Sequence, residues 1–258
     1  MDPENSRDPE NSEDSPAAGA IAWRRQLRQS MRDRPFPPDK IQPPPVPGHG
    51  APVVKVGIFA GIHGDEPAGS QTVRELAAWA RRRPEELAGF ELTLFPVCNP
   101  YGCKAGTRHS PCGMDLNREF WTGSDQCEVR ALEKELRAGH FHLIVALHED
   151  DTSEGLYGFA GDHPLSHRVL AKSLSDASLV LPVNAAPVID GFSAAGGIIT
   201  EGYSGILTAP PEQRPRAVEI VFETPALAPM ARRVVAGVVA VKSMLLAYRE
   251  LTAASAQS

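Results

Sequence analysis

Four short stretches of this sequence gather residue types that bind metals and move protons: Gly61-Ile62-His63-Gly64-Asp65-Glu66, Asp115-Leu116-Asn117-Arg118, Ala146-Leu147-His148-Glu149 and Phe222-Glu223-Thr224-Pro225. His63, Glu66 and His148 supply two imidazoles and a carboxylate. That donor set leaves a coordination position open on zinc, which suits a hydrolytic rather than a structural site. Asn117 and Arg118 supply an amide and a guanidinium for an anionic substrate, and Glu223 supplies a second carboxylate.

Taken alone, His63-x-x-Glu66 is a weak signal in a chain with 8 His. Context strengthens it, because the pair follows a buried apolar run, is flanked by Gly61 and Gly64, and precedes a helical pattern. Glycines let the backbone turn sharply so that two nearby side chains converge on one ion. A strand-end histidine is otherwise a satisfied core or surface residue, which is the better reading of His140 and His142. For His148, the following Glu149, Asp150 and Asp151 argue against simple burial. His163 and His167, four apart on a predicted helix, could chelate a metal but read better as a solvated face. Arg108, Asn117 and Arg118 fall in a long loop, where a guanidinium can grip a carboxylate in a bidentate fork and a second can hold an oxyanion. Loops also carry solvated arginines. Glu219 and Glu223 share a strand face by period-two counting, with Glu223 at the strand's end to meet a ligand and Glu219 behind it or paired.

The elements that position these residues can be read from periodicity. Residues 52–60 form a buried strand, 68–82 a helix and 90–98 a strand, followed by a long loop over 99–120. A helix follows over 128–138, with Asp125 as N-cap and Glu128 closing a capping box. Then come a strand at 141–147, a helix at 165–174, a strand at 218–222 and a long helix at 228–247. Alternating strands and helices predict an α/β fold with a mixed, mainly parallel β-sheet flanked by helices. In such folds ligands gather beyond the carboxyl ends of the strands, where three of the four motifs fall.

Composition narrows the function classes. The 258 residues are 42% hydrophobic and 22% charged, ordinary for a globular protein long enough to bury a full core. Of the net charge of −6, residues 1–15 contribute −5, so no basic excess argues for nucleic acid. The acidic start lacks an apolar signal region, and the longest apolar run, 234–241, is too short to span a bilayer. A cytoplasmic protein is expected, with Cys98, Cys103, Cys112 and Cys127 as free thiols and a Cys103–Cys112 bridge as the alternative. Residues 1–15, with Asp-Pro-Glu-Asn-Ser repeated at 2–6 and 8–12, read as a disordered acidic tail. Residues 16–50 read as a helix and a Pro-rich linker, and 51–258 as the catalytic domain. The helix carries a stripe of Ala20, Trp23, Leu27 and Met31 ringed by arginines. It reads as docking through Trp23 and Leu27, or else as a basic face for an anionic membrane or partner.

Jointly these residues resemble the zinc carboxypeptidase family and its succinylglutamate desuccinylase/aspartoacylase and murein peptide amidase relatives, over about residues 53–248. The resemblance includes the loop opening Asn99-Pro100-Tyr101-Gly102. It implies a three-layer sandwich and one zinc ion per chain on His63, Glu66 and His148. It also implies Arg108 at the oxyanion, Asn117 and Arg118 as a carboxylate clamp, Glu223 as catalytic base and, more loosely, Tyr203 capping the substrate. The implied reaction is hydrolysis of an amide bond next to a free carboxylate, in a small peptide or acyl amino acid. A carboxypeptidase or peptide-amidase is the first reading. An N-acyl amino acid deacylase and a non-catalytic zinc-binding protein are the alternatives. Only 35 residues follow Glu223, too few for the extra C-terminal domain of aspartoacylase-type enzymes, which favours a compact peptidase or amidase. The acidic run Glu149, Asp150, Asp151 and Glu154 suits an amine-bearing substrate, or is a solvated loop.

Overall fold

Strands covered on both faces need no alternation of polar residues, so the centre of the sheet is written as near-continuous apolar runs. In the computed structural model, which describes residues 39–41 and 53–255, these runs are β2 (Val54–Ala60), β4 (Leu143–Asp150) and β9 (Val218–Pro225). The tail expected over 1–15 and most of the helix and Pro-rich linker expected over 16–50 lie outside the described residues. Within the stretch read as linker, Asp39–Ile41 forms an edge strand, β1, antiparallel to β3 (Phe90–Phe95). Short strands β5 (Tyr157–Ala160), β6 (Val188–Ile189), β7 (Phe192–Ala195) and β8 (Ile198–Ile199) complete the sheet. Its nine strands run in the order β1-β3-β2-β4-β9-β5-β8-β7-β6.

Strands β3, β2, β4 and β9 are parallel neighbours, and β5 joins β9 antiparallel. From β2 the chain passes through helix α1 (Pro67–Arg82) outward to β3, then returns to the other side of β2 for β4. Strand order therefore reverses between β2 and β4, and a crevice opens beyond their carboxyl ends. Alternation along β2 sends Val56, Ile58 and Ala60 into a core with α1, α4 (Ser166–Ala177) and α5 (Met230–Ser255). Phe59, on the opposite face, joins Phe95, Phe141 and Ile144 beneath α3 (Cys127–Gly139). The result is the expected three-layer, mixed and mainly parallel sandwich. Each fully buried Leu or Phe in it contributes about 1.5–3 kcal/mol. Among the described residues no helix is long and apolar enough to cross a membrane.

Some local expectations differ from the structure. Helix α3 starts at Cys127 with Gln126 at the cap position and no side-chain cap bond. Asp125 sits one residue too early for the cap and instead accepts from Gln126 Nε2 at 3.2 Å, so no capping box forms. The long loop contains a short helix, α2 (Pro100–Ala105), and a single 3-10 turn over Leu116–Arg118. His163 precedes α4 and its Nδ1 accepts from Leu165 N, so it does not pair with His167 across a helix turn. All four cysteines are free thiols, Cys103 and Cys112 included.

Asn99 explains how the loop is held. It is fully buried, its Oδ1 accepts from Gly102 N at 2.9 Å, and its Nδ2 donates to Ile62 O at 3.3 Å and His109 O at 3.4 Å. One amide thus ties the turn after β2 to the segment carrying Arg108. Gly64 lets the two stretches approach, because a Cβ there would fall on the carbonyl carbon of Gly102. Gly64→Ala is therefore expected to cost about 1–3 kcal/mol, since backbone cannot move aside as a side-chain tip can. Urea unfolding measures this, and an unchanged midpoint would show that the two loops are not locked together.

Candidate active site

Three neighbouring strands bring the candidate groups together. Gly61, at φ +64°, turns the chain out of β2 and presents His63 and Glu66, the latter at the N-cap of α1. His148 lies near the end of β4, and Glu223 is its register partner on β9. His63 Nδ1 is 2.6 Å from Glu66 Oε1, and His148 Nδ1 is 2.9 Å from Glu66 Oε2. The two Nδ1 atoms are 3.2 Å apart. Among the described residues this is the one His/Cys/Asp/Glu group whose ligand atoms converge closely enough to hold a metal ion.

The donor chemistry fits a cation at the centre of this triangle. Two ring nitrogens and a carboxylate crowd together, with one ligand atom from each lying within 4.8 Å of the others. His63 Nε2 is 3.0 Å from Asp115 Oδ1, which favours the tautomer with hydrogen on Nε2 and turns the Nδ1 lone pair inward. Among the described residues, His148 Nε2 is buried without a hydrogen-bond partner, and the ring's contacts are made through Nδ1. Burial alone would lower the His63 pKa, yet the Asp115 and Glu66 carboxylates outweigh it and raise it. Burial likewise pushes Glu66 up, but His148 and His63 hold it well below the usual carboxylate range.

Over this cluster opens a cavity of about 230 Å³. Glu223 lines it, 9% exposed and with no hydrogen-bond partner among the described residues. Burial raises its pKa well above the ordinary range; the nearby His148 opposes this, and Glu66, Asp150 and Asp190 add to it. Arg108 enters from the long loop, held to Asp115 by Nε at 3.2 Å and Nη2 at 3.0 Å, with Nη1 3.4 Å from Glu66 Oε1. Asn117 lines the cavity, and its Oδ1 accepts from Leu207 N at 2.9 Å. Arg118 donates Nη1 to Asn117 O at 2.7 Å and lies 4.0 Å over the ring of Tyr203. Tyr203 lines the same cavity and donates to Asp190 Oδ1 at 3.0 Å. Glu219 is apart from the cluster: its Oε1 accepts from Ala209 N at 2.7 Å, in keeping with a paired residue.

The acidic run after His148 is only partly what the sequence suggested. Glu149 is buried, accepting from Ala68 N at 2.6 Å and paired with Arg233 of α5, so it braces β4 against the start of α1. Glu154 does not line the cavity, whereas Glu149, Asp150 and Asp151 do. They are joined by Asp190, which no sequence signal linked to this site. Asp115 is the other residue given no role beforehand. Its place directly before Asn117 and Arg118 was visible, but its contact with His63 was not.

Residues 52–193 match the family described as Succinylglutamate desuccinylase/Aspartoacylase catalytic domain. Among solved structures, the fold is similar to a provisionally named metallopeptidase from Shewanella amazonensis SB2B. The TM-score is 0.66 at 19% identity, covering 87% of this chain and 92% of that one. A metallo-carboxypeptidase from Pseudomonas aeruginosa, in complex with (2-guanidinoethylmercapto)succinic acid, gives 0.64 at 17% identity, covering 88% and 69%. A succinylglutamate desuccinylase/aspartoacylase from Rhodobacter sphaeroides gives 0.53 at 22% identity, covering 76% and 55%. At these identities the likeness is one of fold. No curated protein matches the chain.

Proposed function

The chain belongs to the succinylglutamate desuccinylase/aspartoacylase catalytic-domain family, and from that membership we propose a zinc-dependent hydrolase of an amide bond adjacent to a free carboxylate. The observation that carries this reading is the meeting, in one cleft, of the His63–Glu66–His148 cluster with the buried carboxylate of Glu223. Zinc held by His63, Glu66 and His148 would supply Lewis acidity and lower the pKa of water toward ~7. Two imidazoles and a carboxylate favour it over harder cations.

The remaining steps belong to the protein's own side chains. Asn117 Nδ2 and the Arg118 guanidinium hold the substrate carboxylate and so fix which amide carbon meets the attacking water. Arg108, oriented by Asp115, donates to the carbonyl oxygen as it gains charge. The Glu223 carboxylate takes a proton from the attacking water and returns it to the leaving nitrogen as the C–N bond breaks. The products are an acid and an amine. Tyr203, stacked under Arg118, covers the mouth. A carboxypeptidase or peptide-amidase substrate is the first reading. An N-acyl amino acid uses the same residues, and the family match favours it as the second.

Matched substrates test this. A free acid beside the scissile amide is expected to exceed its methyl ester or amide by about 10²-fold in kcat/KM, because the neutral analogue leaves a guanidinium without its charged partner. Equal rates would remove Asn117 and Arg118 from carboxylate binding. Absence of zinc-dependent turnover on acyl amino acids, C-terminal dipeptides and muropeptides would overturn the hydrolase reading.

A further inference from the structure

Part of the cavity lining is acidic and carries no cation of its own. Asp150 and Asp151 stand at the end of β4, and Asp190 reaches the cavity from the β6–β7 hairpin. Asp190 and Gly191 take φ +51° and +81°, the left-handed pair that a two-residue hairpin turn demands, so the turn itself aims this carboxylate. The hydrogen bonds that Asp150 and Asp190 accept come from neutral donors. Asp150 accepts from Tyr157 Oη at 2.8 Å and Thr152 N at 2.7 Å, and Asp190 from Tyr203 Oη at 3.0 Å. The cations that line the cavity are engaged elsewhere. Arg108 is held by Asp115 and Glu66, and Arg118 by the Asn117 carbonyl and the Tyr203 ring. Arg233, behind the wall, is paired with Glu149.

A solvated acidic loop would need no explanation, but this one faces a space shaped for a ligand. Glu223 lines the same cavity, nine-tenths buried and, among the described residues, without a hydrogen-bond partner. The three aspartates do not converge as metal ligands do. A spread of carboxylates suits an organic cation with several donors, and it repels a second carboxylate.

We propose that the substrate is a zwitterion, its carboxylate held at Asn117 and Arg118 and an ammonium or guanidinium group held at Asp150, Asp151 and Asp190. This rests on the hydrolase reading for its catalytic half and narrows the substrate class within it. Dianionic acyl amino acids are disfavoured because their second carboxylate meets three like charges.

The test uses N-acyl amino acids of equal length whose acyl chain ends in an ammonium, a methyl or a carboxylate, together with a set carrying those ends on the leaving amino acid. In at least one set the ammonium member should exceed the carboxylate member by about 10²-fold in kcat/KM, and the preference should shrink as salt screens the wall. Asp190→Asn should lower the ammonium-to-carboxylate ratio about tenfold, with Asp151→Asn as the second variant if the first fails to fold. Calorimetric binding of a free diamino acid against a dicarboxylic one, with and without zinc, reads the same preference without turnover. Selective binding without hydrolysis would sink the hydrolase proposal and leave this one standing. Hydrolysis with no charge preference, or a preference untouched by both variants, would do the reverse.

Discussion

Glu223→Gln is expected to keep its bound metal and its substrate affinity while turnover falls by about 10²–10⁴-fold, the range contributed by a positioned general base. The amide matches the carboxylate in volume, and the register between His148 and position 223 is set by backbone pairing that the change does not touch. Glu223 stands outside the metal-competent triangle of His63, Glu66 and His148, so no ligand is lost. What disappears is the ability to accept a proton from water at that point in the cleft. Single-turnover kinetics with a cleavable acyl amino acid, alongside metal analysis, separates the chemical step from binding. Near-normal turnover would place the base on another cleft carboxylate.

His63→Ala, Glu66→Ala and His148→Ala should each weaken zinc binding on the order of 10³-fold, since one of three protein ligands is removed. Asp115→Asn should cost only about 10–100-fold, as is typical of a partner that orients a ligand without touching the ion. The chain should still fold in every case. His63 and Glu66 leave the sheet at its carboxyl edge, and none of the three apolar clusters includes the three candidate ligands. Zinc content after dialysis, with circular dichroism as the folding control, decides the matter. Stoichiometric zinc in the His148 variant would break the three-ligand arrangement.

Some of this molecule is written locally. β2, α1, β3, β4, β9 and α5 were legible because each carries an apolar run or a helical period over several residues. His63 and Glu66 were legible for a related reason: both belong to one turn, and a strand, flanking glycines and a helix frame it. β5 to β8 were missed, since strands of two to four residues between turns carry too little periodicity to register. The cap of α3 was misplaced by one residue, because the extended backbone that precedes the helix falls at Gln126 and Asp125 accepts from the Gln126 side chain instead of from a helix N–H.

By itself, then, the sequence determined the sheet's central strands, the residue types of the metal cluster and the carboxylate that joins it. Tertiary structure decided which acids face the ligand. Glu149 and Asp150 are adjacent and both line the cleft, yet Glu149 is neutralised by Arg233 of α5 while Asp150 accepts from Tyr157 Oη and Thr152 N. Asp190 reaches the same cavity only because β9 pairs with β5 and the short strands continue outward to the β6–β7 turn. Asp115 meets His63 across 52 positions of chain because Asn99 locks the two loops together. Contacts of that kind depend on strand pairing and loop closure, and no local pattern of residues encodes them.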